Sequence, residues 1–177
     1  GGFNLAPSVT GAGTRIAFRS ERDLTGGNAD GNGEIFLWTS GSGFTQITSS
    51  TGGSNTAPTI NGDGTRIAFN SNRNLTGGNV DLNREVFLWT SGSGNAQVTN
   101  TTGGNSFAPV IDGGGTRIAF SSDRDLTGGN AVLDEEIFIW TSGSGFTQIT
   151  GPTLNGGGPG FPSINSDGTK VAFEGTD

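Results

Sequence analysis

The sequence predicts an all-β protein made of repeated four-stranded units, and three observations lead to this fold class. First, residues 14–18, Thr-Arg-Ile-Ala-Phe, recur almost unchanged at residues 65–69, 116–120 and 169–173. Second, the apolar residues alternate with a period of two, which is typical of strands and not of helices. Third, Gly accounts for 34 of the 177 residues, and Gly-rich turns separate the apolar segments. Repetition of this length indicates one architecture built from copies of a single unit.

Each unit is predicted to contain four strands, A to D, which in the first copy are residues 6–10, 14–18, 35–38 and 44–48. Pro7 in strand A removes a ladder donor, so strand A is expected at a sheet edge. Strand B alternates, whereas strand C is apolar on both faces and is expected to lie between two layers. Strand D is rich in β-forming residues and becomes more polar. Residues 39–43, Thr-Ser-Gly-Ser-Gly, have the composition of a hairpin turn.

A repeated four-stranded unit of this size is the signature of a β-propeller blade. The predicted blades are residues 3–51, 52–102 and 103–153, and residues 154–177 supply half of a fourth. We expect the core to consist of Ile16, Phe18, Ile35, Leu37 and Trp38 with their counterparts. Strand A should be innermost, which places Pro7, Pro58, Pro109 and Pro162 near the central channel.

Composition restricts the possible functions. The chain contains neither Cys nor His, which excludes a thiol nucleophile, a Ser-His-Asp triad and a His-ligated zinc. Its net charge of −7 repels nucleic acid and anionic lipid, and no segment approaches the roughly 20 apolar residues of a membrane span. We therefore predict a non-enzyme without a cofactor, without nucleic-acid binding and without membrane insertion. The scarcity of Lys, with abundant Gly, Ser, Thr and Asn, favours an exported bacterial protein, periplasmic or extracellular.

The repeat resembles that of TolB-like propellers, the WD40-like PD40 blade. Residues 6–20, Ala-Pro-Ser-Val-Thr-Gly-Ala-Gly-Thr-Arg-Ile-Ala-Phe-Arg-Ser, follow the family pattern Pro-x-x-Ser-Pro-Asp-Gly-x-x-Ile-Ala-Phe-x-Ser. The turn at residues 165–168, Asn-Ser-Asp-Gly, is nearest to that pattern, while residues 10–13, Thr-Gly-Ala-Gly, lack its Asp. The resemblance covers the whole chain and implies a propeller. It is weaker for function, because this blade type serves scaffolds, peptidase propellers and lyases.

We predict a non-catalytic scaffold or binding module for protein or glycan partners. One alternative is the gating propeller of a larger prolyl-peptidase-like hydrolase. Another is a lectin-like propeller, which would show exposed aromatic residues at the blade rims, such as Phe44 and Phe146. Division of 177 residues by the 51-residue period gives only about three and a half blades, whereas propellers have four to eight. We therefore also expect self-association of identical chains to complete the ring.

The loop between strands B and C has the alternating oxygen side chains of a calcium site. The candidate ligands are Asn28, Asp30, Asn32 and Glu34 in the first copy, and Asn79, Asp81, Asn83 and Glu85 in the second. The match weakens along the chain, since Arg84 replaces a Gly and Val132 replaces Asp30 in the third copy. These residues also suit a turn in which side chains bond to local backbone, and the sequence favours that interpretation.

Other charged residues have simpler interpretations. Arg22, Arg73 and Arg124 follow strand B in each copy and could form an anion-binding ring. Because a ligand rarely needs the same group in every blade, we favour a structural bond from each Arg to the acidic B–C loop of its own blade. Residues 134–136, Asp-Glu-Glu, contain adjacent carboxylates. Neighbouring strand residues face opposite sides, which argues against a glycosidic acid–base pair.

Overall fold

The computed structural model describes residues 2–151 and 158–175. Within these residues the chain forms fourteen strands and no helix. Blade 1 consists of β1 (Asn4–Val9), β2 (Arg15–Ser20), β3 (Glu34–Thr39) and β4 (Gly43–Gln46). Blade 2 consists of β5 (Asn55–Ile60), β6 (Arg66–Ser71), β7 (Glu85–Thr90) and β8 (Gly94–Gln97). Blade 3 consists of β9 (Ser106–Ile111), β10 (Arg117–Ser122), β11 (Glu136–Thr141) and β12 (Gly145–Gln148), and a terminal unit of β13 (Gly160–Ile164) and β14 (Val171–Glu174) follows.

Each blade is an antiparallel meander in which sequential strands are neighbours. In blade 1, Ile16 of β2 lies opposite Trp38 of β3, and Trp38 lies opposite Phe44 of β4. The fold class is therefore the predicted one, with three complete blades and the first two strands of a fourth. The predicted blade boundary at 153/154 lies outside the described residues. Strand β4 ends before the predicted strand D does, because Thr48 turns inward and its hydroxyl accepts a hydrogen bond from the Ile35 amide at 2.8 Å.

The core lies between neighbouring blades. One cluster joins Ala17, Ile35 and Leu37 of blade 1 to Ile67, Phe69 and Phe87 of blade 2. A second cluster repeats this arrangement between blades 2 and 3. In blade 2 the apolar residues on the two faces of β7 are thus covered by different neighbours, Phe87 by blade 1 and Val86 and Leu88 by blade 3, as the sequence of strand C predicts.

The predicted core is correct for most positions, and the tryptophans lie at its edge, where Trp89 and Trp140 pack against the two clusters. Trp38 and its counterparts are only half-buried, since they pair close to the hairpin turn where the blade reaches the surface. The fully buried aromatic residues are instead Phe36, Phe69, Phe87, Phe120 and Phe138. Ile16 and Phe18 are also only half-buried in blade 1, whereas their counterparts in blades 2 and 3 are fully buried.

One hydrogen bond recurs at every junction between units. The Arg15 guanidinium donates to the Gly64 carbonyl of the next blade at 2.9 Å. The same bond joins Arg66 to Gly115 at 2.7 Å and Arg117 to Gly168 at 2.6 Å. This repetition explains why a cation stands at the start of every strand B: it fastens each unit to its successor.

The first strand of each unit lies at the inner edge of its sheet, as predicted. These strands surround an apolar groove of about 340 Å³, and all four of the predicted channel prolines line it. Each strand bulges at its Ala-Pro or Phe-Pro pair, where the residue before Pro adopts a positive φ, 49° for Ala6 and Phe161. Proline and a bulge both prevent pairing with a further strand. The axial edge of the sheets is therefore closed to strand addition.

Candidate binding site

The B–C loops and the connections between blades meet on one side of the molecule, which we call the loop face. It is formed by residues 21–33, 72–84 and 123–135 of the three blades together with the connections 47–54 and 98–105. The turns between the first and second strands and between the third and fourth strands lie at the opposite end of each sheet. All predicted calcium ligands belong to the loop face or border it.

In blade 1 the candidate calcium ligands make extensive bonds to the protein itself. Asp30 accepts a hydrogen bond from the Gly52 amide at 2.7 Å. Asn32 donates to the Ser50 and Gly52 carbonyls, both at 2.8 Å. Asn28 donates to the Asn32 carbonyl at 3.0 Å. These contacts fasten the B–C loop to the connection that leads into blade 2, which is the turn-forming role that the sequence favours.

Blade 2 repeats this arrangement. Asp81 accepts from the Gly103 amide at 2.7 Å, and Asn83 donates to the Thr101 and Gly103 carbonyls at 3.1 and 3.2 Å. The side-chain oxygens of Asn28, Asn32, Asn79 and Asn83 are nevertheless buried without a hydrogen-bond partner in the described part of the chain. No group of three acidic residues that could hold a metal occurs among the described residues. Calcium binding therefore stays a prediction, which a calcium titration followed by the melting temperature would test.

Glu34 and its counterparts hold a buried polar network that the sequence interpretation missed. The Glu34 carboxylate is fully buried and accepts bonds from the Ser50 amide and hydroxyl, both at 2.7 Å. It also accepts bonds from the Thr48 hydroxyl and from the Asn55 side chain of blade 2. Glu85 repeats the pattern with Thr99 and Thr101, and Glu136 bonds to Thr150. The signal was available in the sequence, since a Glu begins each apolar strand and a Thr follows it by fourteen residues.

The arginines after strand B contact the segment that precedes the first strand of their own blade, whereas the sequence favours a bond to the acidic B–C loop. Arg22 donates to the Gly2 carbonyl at 2.9 Å, in the segment that leads into β1 of its own blade. The guanidinium groups of Arg73 and Arg124 lie against the Cα atoms of Gly53 and Gly104, where any side chain would collide with them. Each Arg therefore packs on the glycine that precedes the first strand. Of these three arginines, only Arg124 forms an ion pair with an acidic loop residue among the described residues, with Asp123 at 3.3 Å.

The neighbouring carboxylates Glu135 and Glu136 lie on opposite sides of the sheet, as predicted. Glu136 is buried in the network on β11, whereas the half-buried Glu135 lines a different cavity near Phe161 and Glu174. Burial raises the pKa of the Glu135 carboxyl above its ordinary value, and the nearby Asp123 charge raises this pKa further. The adjacent carboxylates Glu135 and Glu136 therefore do not face one site.

Exposed aliphatic residues on the loop face distinguish blades 2 and 3 from blade 1. Val80 and Val132 have exposed fractions of 80% and 68%, and Leu82 and Leu133 are both 45% exposed. Leu82 and Leu133 also have φ angles of 55° and 57°, a conformation that costs a side-chain-bearing residue about 1–2 kcal/mol. Blade 1 has Gly31 at this position, with a φ of 67°. Two blades therefore carry a strained, exposed leucine where a glycine would fit without strain.

Of the aromatic residues that a lectin-like site would need, Phe44 is 48% exposed and Phe146 is half-buried, and both also pack within their own blade. Phe44 contacts Phe18 edge-on with ring centroids 6.0 Å apart, and Phe146 contacts Phe120 in the same way at 6.1 Å. In blade 2, Asn95 replaces them and donates to the Ile47 carbonyl of blade 1 at 3.1 Å. This position therefore serves contacts within and between blades.

No helix long and apolar enough to cross a membrane occurs in the part of the chain that the structure describes.

Together, the radial meanders, the inner prolines and the repeated junctions define the chain as part of a β-propeller. Comparison with solved structures leads to the same fold. The chain is similar to TolB from Acinetobacter baumannii, with 22% identity and a TM-score of 0.65 over 97% of this chain and 37% of that one. It is similar to putative TolB from Agrobacterium tumefaciens, with 20% identity and a TM-score of 0.69 over 97% of this chain and 54% of that one.

The likeness extends to propellers of other proteins. A chain in the nidogen/laminin complex has 11% identity and a TM-score of 0.62, covering 97% of this chain and 56% of that one. No family model matches the sequence, and no curated protein matches it. The chain thus spans between 37% and 56% of the lengths of these structures. The comparisons establish a TolB-like β-propeller fold.

Proposed function

We propose that the chain is a non-catalytic propeller module that binds a protein partner through the loop face of blades 2 and 3. One observation carries this proposal: Leu82 and Leu133 are exposed and adopt a strained backbone conformation that blade 1 avoids with Gly31. Strain that yields no packing inside the molecule is typical of functional positions. Exposed aliphatic residues on adjacent loops are typical of protein interaction sites.

The chemistry of these loops favours a protein over a glycan. The exposed side chains that distinguish the loops of blades 2 and 3 are aliphatic. An exposed aromatic residue does not recur at the blade rims, since Phe44 is 48% exposed, Phe146 is half-buried and blade 2 has Asn95 at this position. The net charge of −7 favours a partner surface that is neutral or basic, because charge complementarity speeds association and suppresses acidic partners. The scaffold supports binding, since loops mounted on a rigid sheet are the usual location of recognition residues. Export of the protein, and its alternative place in a larger hydrolase, stay predictions from the sequence.

Affinity capture with matched variants tests the proposal. The immobilised wild-type chain is incubated with an extract of the source organism, and each captured protein is then purified and titrated. The test variant replaces Leu82 and Leu133 by Gly, which suits their φ angles, and Val80 and Val132 by Ser. The control replaces Ala96 by Ser, because Ala96 is an exposed residue of the outer strand β8 and lies on a different surface.

We expect a protein that binds the wild-type chain and the Ala96→Ser control equally well, and that binds the loop variant at least about tenfold more weakly. Melting curves establish that the loop variant is folded. Equal affinity for the wild-type chain and the loop variant would overturn the proposal, as would capture of nothing but glycans.

A further inference from the structure

A cleft of about 410 Å³ opens on the loop face between blades 1 and 2. Its lining is mostly polar and combines the connection 49–51 with residues of blade 2, namely Arg73, Asn74, Leu75, Leu82 and Asn95. Both blades have all four of their strands. The cleft therefore belongs to an internal junction of the arc.

Arg73 brings to this cleft a positive charge that no adjacent carboxylate balances. Residues 21–23 of blade 1 are Glu-Arg-Asp and residues 123–125 of blade 3 are Asp-Arg-Asp, whereas residues 72–74 of blade 2 are Asn-Arg-Asn. The blade 3 arginine pairs with Asp123 at 3.3 Å, while Arg73 forms no ion pair among the described residues. Of the three arginines after strand B, only Arg73 thus lacks an acidic neighbour on both sides.

Two polar groups that line the cleft are buried without a hydrogen-bond partner in the described part of the chain. One is Nε of Arg73, although the equivalent Nε of Arg22 in blade 1 donates to the Gly2 carbonyl at 2.9 Å. The other is Oδ1 of Asn95, whose Nδ2 donates to the Ile47 carbonyl at 3.1 Å. Because buried polar groups are ordinarily paired, an unpaired donor and an unpaired acceptor in one cleft indicate a ligand that supplies both partners.

The junction between blades 2 and 3 uses the corresponding positions for packing. Phe146 stands where blade 2 has Asn95, and it contacts Phe120 edge-on with ring centroids 6.1 Å apart. The polar chemistry of the cleft is therefore a departure of blade 2 from its neighbouring copy. Such departures from the repeat are typical of positions that serve recognition, since the fold is built equally well without them.

The chemistry of these groups fits a carboxylate better than a phosphate. A guanidinium binds a carboxylate through two parallel hydrogen bonds. The cleft offers one cation, and the net charge of −7 opposes the approach of a doubly charged phosphate. The Asn95 oxygen can accept from a peptide N–H, and Leu75 and Leu82 add aliphatic contact. A peptide segment that carries one carboxylate satisfies all of these groups.

We propose that this cleft binds a carboxylate of the protein partner, with Arg73 paired to the carboxylate and Asn95 accepting from a neighbouring peptide N–H. The inference rests on the proposed function and deepens it, since Leu82 belongs both to the cleft and to the exposed loop face. The carboxylate is either the C-terminus of the partner or an acidic side chain. One carboxylate on a partner that is otherwise neutral or basic agrees with the charge of the chain.

Titration of the purified chain with three short peptides tests the ligand chemistry. Acetyl-Ala-Ala-Leu has a C-terminal carboxylate, acetyl-Ala-Glu-Leu-amide has a side-chain carboxylate, and acetyl-Ala-Gln-Leu-amide has none. We expect one of the first two to shift the NMR resonance of the Arg73 Nε–H saturably, and the third to bind at least about tenfold more weakly. The peptide that binds identifies the source of the carboxylate. Equal binding of all three, binding of none, or tighter binding of inorganic phosphate or glucuronate would overturn the proposal.

Matched variants assign the binding to this cleft. Arg73→Gln should weaken peptide binding at least about tenfold, whereas Arg124→Gln, at the same position in blade 3, should leave it unchanged. Asn95→Phe gives blade 2 the residue of blade 3, removes the acceptor and should also weaken binding. Melting curves establish that each variant is folded. Equal weakening by Arg73→Gln and Arg124→Gln would overturn the assignment.

The captured partner separates this inference from the proposed function. If the partner binds Arg73→Gln as tightly as the wild type but binds the loop variant weakly, the carboxylate site is wrong and the proposed function stands. If the partner binds the loop variant as tightly as the wild type, the proposed function itself is wrong. Weaker binding of the partner to both variants supports the two together.

Discussion

Blades 1 and 2 carry nearly the same residues on the face that looks toward the preceding blade, yet they bury them to different extents. Val9 is 58% exposed and Ile60 only 8%, and Phe18 is half-buried where Phe69 is fully buried. The two sheets have the same strand order and the same register. The burial of Val9, Phe18 and their counterparts therefore depends on the neighbouring blade, whereas Phe36, on the same face of blade 1, is fully buried by its own blade. A residue's contribution to stability follows from its position in the arc as much as from its identity.

The largest expected difference is between the stability costs of truncating Phe69 and Phe18. Phe69→Ala removes a fully buried ring from the junction between blades 1 and 2 and should cost about 3–5 kcal/mol of the free energy of unfolding. Phe18→Ala should cost less than half as much, because no blade covers that ring. Urea denaturation measures both, at concentrations too low for association. Equal costs would contradict the conclusion that the neighbouring blade creates the core.

The buried carboxylates should behave in the opposite way, since their partners lie mostly within their own blade and its outgoing connection. Glu34→Ala and Glu85→Ala should each cost about 2–3 kcal/mol, because each removes several hydrogen bonds to a charged group. The costs in the two blades should agree within the error of urea denaturation. A much smaller cost in blade 1 would show that the network also depends on a preceding blade.

A reciprocal exchange on the loop face should produce a smaller effect. Leu82→Gly relieves a positive φ and should raise the free energy of unfolding by about 0.5–1 kcal/mol, since the relief exceeds the added entropy of the unfolded chain. Gly31→Leu should lower it by a similar amount in blade 1. Thermal melting of the two single variants measures these changes. Destabilisation by Leu82→Gly would show that Leu82 packs favourably within the fold.

The smallest effect concerns Glu135, whose counterpart in blade 1 is Gly33. Burial raises the pKa of Glu135 above its ordinary 4.5, so its ionised form opposes folding at neutral pH. Glu135→Gln should therefore be slightly more stable than the wild type at neutral pH, and the difference should shrink as the pH falls through the raised pKa. Asp63→Asn provides the opposite control, because hydrogen bonds from the Thr65 hydroxyl and amide lower the pKa of Asp63. A pH series of melting temperatures for both variants measures the signs.

The sequence was sufficient for the fold because its repeats are nearly identical. The recurring Thr-Arg-Ile-Ala-Phe string gave the number of units, and Pro7 with its counterparts gave the inner edge. The degree of burial of Trp38 could not be predicted, because period-two alternation assigns a residue to a face of the sheet without indicating how far it lies from the end of the strand. How much of a residue the adjacent blade buries depends on the junction between the two blades, and the alternation of apolar residues does not encode that junction.

The site was predicted less completely, for a related reason. Turn-forming Asx residues and metal-ligating Asx residues have the same spacing, so the loop around Asp30 did not distinguish the two roles. The network around Glu34 joins residues that are fourteen and more positions apart and closes only when the strands pair. The strain at Leu82 and Leu133 is a backbone property that needs coordinates. Alignment of the repeats could have indicated this strain, because blades 2 and 3 have Leu where blade 1 has Gly31.

The bond from each strand-B cation to the following Gly carbonyl has an evolutionary consequence. A 51-residue segment carries the donor for the junction after it and the acceptor for the junction before it. Duplication of such a segment in the gene creates a new junction that is already complementary, and deletion of one rejoins two complementary ends. The number of blades can therefore change in a single recombination step without compensating substitutions, which is consistent with the near-identity of the copies in this chain.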